Sequence, residues 1–142
     1  MSDLIAQRRE FMRRFDLDLP RAPGLRAREL AMWTNMLNEE WQEFGQALAD
    51  YAELPGLDED EARHRMAELT AEGVDLLNVV IGLLLSQGLP LSAMSEAIHA
   101  ANLAKCVDGT VVRRADGKVL KPPHWRPADK DAVLRRAQLD AG

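Results

Sequence analysis

From Leu25 to Leu54 the chain carries no proline, and apolar side chains return at Leu30, Trp33, Leu37, Phe44, Leu48 and Tyr51. Returns every three or four residues lie along one side of an α-helix, so this stretch is expected to be a long amphipathic helix that Pro55-Gly56 ends. A second long helix starts at Asp58, which with Glu61 three residues on forms a capping-box-like pair. It carries Met66, Leu69, Leu76, Val79, Val80, Leu83 and Leu84, and stops at Gln87-Gly88 ahead of Pro90. A shorter amphipathic stretch, Asp3 to about Phe15, comes first, and Pro20, Pro23 and Gly24 prevent its continuation. Another helix follows from Leu91 to about Lys105, with Ile98 and several alanines that permit close helix contact.

Past Lys105 the period changes. Val111-Val112-Arg113-Arg114 and Val119-Leu120 are short β-prone runs, and Asp116-Gly117 between them favours a type I′ hairpin turn. Lys121 to Pro127 holds three prolines and should be an extended loop, and Ala128 to about Leu139 fits a last helix. The expected fold is one all-α domain over residues 1–142, four-helix-bundle-like, with its helical core at about 25–105. A short C-terminal β-hairpin and a basic, Pro-rich tail complete it at about 106–142.

Charge adds an asymmetry. The chain has 18 Lys plus Arg against 23 Asp plus Glu, a net −5 that argues against a general nucleic-acid or anionic-membrane binder. Residues 1–104 carry 9 basic and 18 acidic side chains, whereas 105–142 carry 9 and 5, as if the two ends of one polar ligand were served separately. The single Cys106 forms no intramolecular disulfide, which is compatible with a reducing cytoplasm. The first residues lack the order of a signal peptide, and the longest apolar run, Val79 to Leu85, is far short of the ~20 residues that span a bilayer. A soluble, cytoplasmic protein is expected.

Some carboxylates lie where a helix should be apolar. At about 100° per residue from Trp33, Leu37, Phe44 and Leu48 fall within about 60°, Glu40 falls at about −20° and Glu43 at about −80°. Measured from Leu76 on the next long helix, Glu72 falls at about −40° and Asp75 at about −100°. Each helix therefore puts one acid within its stripe and one at the edge. Two carboxylates at about 5–6 Å repel by roughly 3 kcal/mol at an effective dielectric of 20. No Lys or Arg lies near these acids on either helix, and no His or Cys accompanies them. Hard divalent cations, Mg²⁺ or Mn²⁺, prefer such all-oxygen ligands.

The combination resembles the MazG-like all-α nucleoside triphosphate pyrophosphohydrolases, which take in phosphoribosyl-ATP pyrophosphohydrolase-like and dimeric dUTPase-like enzymes. Glu39-Glu40-x-x-Glu43, 28 intervening residues and Glu72-x-x-Asp75 match that group's EExxE and ExxD motifs in order and spacing. Asn102-Leu103-Ala104-Lys105 matches an NxxK element. Arg114 to Pro122 and Trp125-x-Pro127 resemble the basic tail of the dUTPase-like branch. The likeness covers about residues 29–129. It implies Mg²⁺-dependent cleavage of a (d)NTP to monophosphate and pyrophosphate, with Glu40, Glu43, Glu72 and Asp75 as metal ligands. It also implies a homodimer or higher assembly, for which Val74, Leu77, Ile81 and Leu85 would suit an interface.

Glu39 is the nearest spare carboxylate, as base for the attacking water, as a ligand, or merely solvated. Lys105, Lys118, Lys121 and Arg126 are candidate phosphate contacts. Asn102 either reads the nucleoside or caps its own helix; Trp125 either covers the site or packs against the bundle, and Trp33 and Trp41 are expected in the core. One departure is Gly73, where family members commonly have Leu; Gly within a helix costs about 1 kcal/mol relative to Ala, and a close approach by a helix or ligand is one reason to keep it.

Two other readings compete. Glu61-x-x-His64 and Glu96-x-x-His99 have the spacing of di-iron carboxylate bundles. That site draws on four helices, however, whereas Glu61 and Glu72 share one helix and lie about 16 Å apart along it. A non-catalytic helical dimerisation or regulatory module is the other alternative, separated from an enzyme by nucleotide hydrolysis.

Overall fold

The computed structural model describes residues 3–142, whose helices are α1 (Leu4–Arg14), α2 (Ala27–Ala52), α3 (Glu59–Ser86), α4 (Leu91–Leu103) and α5 (Lys130–Ala141). The start and stop signals hold within about two residues. Asp3 caps α1 by accepting from the Ile5 and Ala6 amides, and Asp58 caps α3 by accepting from that of Glu61. The chain divides into two compact units, one ending at Leu89 and the other starting at Pro90.

In the first unit α2 and α3 form an antiparallel pair with α1 packed on α3. Its core is built on Met12, Trp33, Ala47, Val79 and Leu85. The register of the pair follows from a notch. The Trp33 indole lies over Gly82 so closely that a Cβ there would come within 2.2 Å of a ring carbon. Gly73 needs no such space, because its added Cβ would sit at an ordinary 3.5 Å from Phe44. The close approach expected at Gly73 is therefore found at Gly82.

Polar contacts fix both ends of the pair. The buried Gln87 amide accepts from the Arg26 N–H at 2.8 Å and donates to the Arg26 carbonyl at 3.2 Å. The Arg26 guanidinium donates to the carbonyls of Ala22, Gly24 and Gln87. At the other end Arg65 donates to the Asp50 carbonyl at 2.7 Å. Counting from Trp33 opposite Gly82, seven residues on brings Glu40 opposite Asp75, ten brings Glu43 opposite Glu72, and seventeen brings Asp50 opposite Arg65.

The buried side of α2 is rotated from the expected stripe toward Ala47. Trp33 is 1% exposed, but Leu48 is half-exposed and Trp41 is 64% exposed, so Trp41 is not a core residue. Of the four residues named for an interface on α3, Val74 and Leu77 are exposed, Ile81 is half-buried, and Leu85 is buried and unavailable for one. By length and composition α3 is also apolar enough to cross a membrane. It contains Glu72 and Asp75, and it buries Val79, Gly82 and Leu85 inside the protein.

The second unit contains α4, α5 and the segment between them. The expected β-hairpin is absent: among the described residues there is no strand, only the isolated bridges Val107↔Thr110 and Arg113↔Val119. The Asp116 carboxylate accepts from the Arg114 guanidinium and the Lys118 N–H, a local arrangement that competes with a two-residue hairpin turn. Asp116 does not take the positive φ that a type I′ turn requires, although Gly117 does. The other Asp-Gly pair behaves as that rule asks. Asp108 and Gly109 have φ of 50° and 75°, and Val107 and Thr110 exchange backbone hydrogen bonds across them at 2.8 and 3.1 Å.

Candidate metal centre

Glu40 and Glu43 lie one turn apart on α2, and the register set by Trp33 and Gly82 brings α3 past them with Glu72 in front. One carboxylate oxygen from each of Glu40, Glu43 and Glu72 falls within 4.8 Å of the others. Glu40 Oε2 and Glu72 Oε2 are covered from solvent and have no hydrogen-bond partner, although each side chain as a whole is half-buried. A carboxylate has no proton to give another, so contact with Glu43 satisfies neither oxygen while all are ionised.

Electrostatics record the same conflict. Burial first, and then the charges of Glu43, Asp75 and Glu72, push the Glu40 pKa above the ordinary glutamate value. Glu72 is raised by burial and then by Glu43, Asp75 and Glu68. Protonation or a cation relieves both. Three carboxylates whose oxygens come this close could hold one hard divalent cation between them, which would supply the positive charge they lack. The donor set is all oxygen, without the sulfur or imidazole that softer metals favour. These residues fit a hard divalent cation.

Asp75 is exposed and outside the trio, yet close enough for its charge to act on Glu40 and Glu72. Glu39 is exposed on α2 and is not part of the trio. One side chain that the sequence did not point to belongs here. Arg8 on α1, which packs on α3, is near enough to Asp75 for that charge to oppose the lowering of its pKa by burial. The long-helix wheels held no sign of it, because it arrives on a third helix.

A groove of about 490 Å³ runs from Glu43 and Glu72 toward the α2–α3 turn, lined further on by Gln46, Asp50, His64 and Arg65. Glu61 and His64 are exposed on its wall and stand apart from the trio, and Glu96 and His99 are exposed on α4 in the other unit.

The phosphoribosyl-ATP pyrophosphohydrolase family matches residues 8–102, which run from within α1 to the last turn of α4 and include every carboxylate of the centre. The chain belongs to this family. It is therefore a hydrolase of phosphoanhydride bonds, a pyrophosphohydrolase acting on a nucleotide triphosphate, in a family that is metal-dependent in general. No curated protein matches the chain.

The remaining expected site residues of this family member lie in the second unit. The Trp125 indole N–H donates to the Ala101 carbonyl at 2.6 Å, so the ring is packed on the end of α4. The ammonium groups of Lys105 and Lys121 lie 5.2 and 5.3 Å from its centroid, within cation–π range. Asn102 is exposed and is not the cap of α4, a position that Ala104 takes. Lys118 and Arg126 are exposed.

Proposed function

We propose that this pyrophosphohydrolase is Mg²⁺-dependent and cleaves a nucleoside triphosphate, in first place a deoxynucleotide such as dUTP or a modified relative. The products are the monophosphate and pyrophosphate. The supporting observation is the meeting of Glu40, Glu43 and Glu72 with two covered, unpartnered oxygens and no neutralising ion pair among the described residues. A bound divalent cation would supply charge neutralisation and a template for the phosphate chain. Glu40, Glu43 and Glu72, with Asp75 at the edge, would hold it.

Water adds to one phosphorus as the α–β bridging P–O bond breaks, and its proton passes to a base. Glu39 is assigned to that base, because it is a solvated carboxylate beside a ligand and has no cation to serve. Lys105, Lys118, Lys121 and Arg126 are assigned to phosphate contacts, and Asn102 and Trp125 to the nucleoside. Turnover in a homodimer or higher assembly accords with the exposed Met66, Val74, Leu77 and Val80 on α3. Removal of non-coding nucleotides from the cytoplasmic pool is the physiological role that fits.

The test is pyrophosphate release from a panel of canonical and modified (d)NTPs and phosphoribosyl-ATP, with Mg²⁺ or EDTA, beside Glu40→Gln. Turnover of a (d)NTP that is lost with EDTA and in the variant supports the reading. Turnover of phosphoribosyl-ATP alone assigns the family's named substrate instead, and metal-independent turnover rejects the carboxylate mechanism.

A further inference from the structure

Most charged groups of the first unit are solvated or paired, and Arg8 is an exception. It shares one face of α1 with Met12, four residues on, which is fully buried. This face is the one turned into the unit, and α1 packs on α3. The guanidinium carbon of Arg8 stands 4.4 Å from the Phe11 ring centroid, a cation–π contact that uses none of its N–H donors. Arg8 Nε is covered and meets no acceptor, and none of the ion pairs among the described residues includes Arg8. Arg65, at the other end of the helix pair, is occupied by the Asp50 carbonyl and stands 3.5 Å from Glu53.

We propose that Arg8 is a substrate contact whose guanidinium takes oxygens of the phosphate chain beside the carboxylate centre. The inference rests on the triphosphate reading above. A triphosphate brought to four acids needs positive charge beyond one divalent ion, and a flat fork of N–H donors matches phosphate oxygens two at a time. Arg8 is suited to this because its neighbours orient it without satisfying it. The groove is lined mostly by acids, and its one arginine, Arg65, is already engaged by the Asp50 carbonyl and Glu53, whereas Arg8 has no such partner.

The experiment compares Arg8→Met and Arg8→Lys with wild type and with Arg13→Met, an exposed α1 control. Three quantities are read: the Kd for Mn²⁺ alone, the Kd for inorganic pyrophosphate with Mn²⁺ saturating, and KM and kcat for the substrate found in the panel. Arg8→Met should keep the Mn²⁺ Kd within twofold and weaken pyrophosphate binding and KM at least tenfold. Arg8→Lys, which keeps the charge and loses the fork, should fall between, and it decides the matter if the methionine variant does not fold. Pyrophosphate affinity within twofold of wild type in the folded variants overturns the proposal, as does a wild type that binds no pyrophosphate. Parallel loss of Mn²⁺ affinity also overturns it, making Arg8 a positioning residue for Asp75. Arg8-dependent pyrophosphate binding without triphosphate turnover would instead reject the triphosphate reading and leave the contact standing.

Discussion

The helix pair α2–α3 faces acids across its seam in two places, and the chain treats them differently. Near the turn, Arg65 is half-buried and donates to the Asp50 carbonyl, with Glu53 at 3.5 Å, so the protein supplies the cation itself. About two turns away along the same helices, Glu40, Glu43 and Glu72 converge without one, and two of their oxygens are covered and unpartnered. Where a cation is built in, its hydrogen bond to the Asp50 carbonyl and its ion pair with Glu53 fasten the pair. Where it is withheld, they oppose folding unless protons or a metal ion arrive.

Removing a ligand breaks this contrast most severely. Glu72→Gln should lower kcat by at least about a thousandfold, since a bound metal contributes several kcal/mol to the transition state. The metal-free variant should melt no lower than wild type, because a repulsive charge has gone. Turnover assays and thermal melts in EDTA check the two halves together. Next in size is the notch that sets the register. Gly82→Ala should cost about 1–3 kcal/mol in urea unfolding, because its Cβ enters the Trp33 ring. Gly73→Ala, which meets only Phe44 at ordinary contact distance, should be neutral or stabilising by up to about 1 kcal/mol.

At the turn, Arg65→Met should cost about 1–3 kcal/mol and leave the Mn²⁺ Kd unchanged, as read by unfolding and by metal titration. The smallest effect is on pH. Glu40 and Glu72 have raised pKa values in the folded protein, so the folded state holds protons that the unfolded chain has released. Their contribution to stability is present below the ordinary glutamate pKa of about 4.3 and is lost as pH rises through the raised values. Melts of the metal-free protein across that interval should show the decline, and saturating Mg²⁺ should reduce it at the upper end.

Much of the helical framework was legible because it depends on local signals. Pro20, Pro23, Pro55 and Pro90 interrupt the chain, and the apolar period between them is unambiguous. The acids were legible for the same reason, since Glu40 within an apolar stripe needs explaining wherever the helix packs. Register was not, because it depends on the Trp33 indole meeting Gly82 across the pair, whereas the sequence drew attention only to Gly73. Arg8 was hidden because the docking of α1 on α3 leaves no period in the long helices. The chain holds two Asp-Gly pairs, and the type I′ geometry fell to Asp108-Gly109 because the Asp116 side chain was already engaged by Arg114.

Equilibrium binding of Mn²⁺ to the EDTA-stripped protein, followed by electron paramagnetic resonance in wild type and Glu72→Gln, tests the central claim most directly. Saturable binding that is lost in the variant and competed by Mg²⁺ is the predicted result. No saturable binding in the wild type, or equal binding in both proteins, would contradict it.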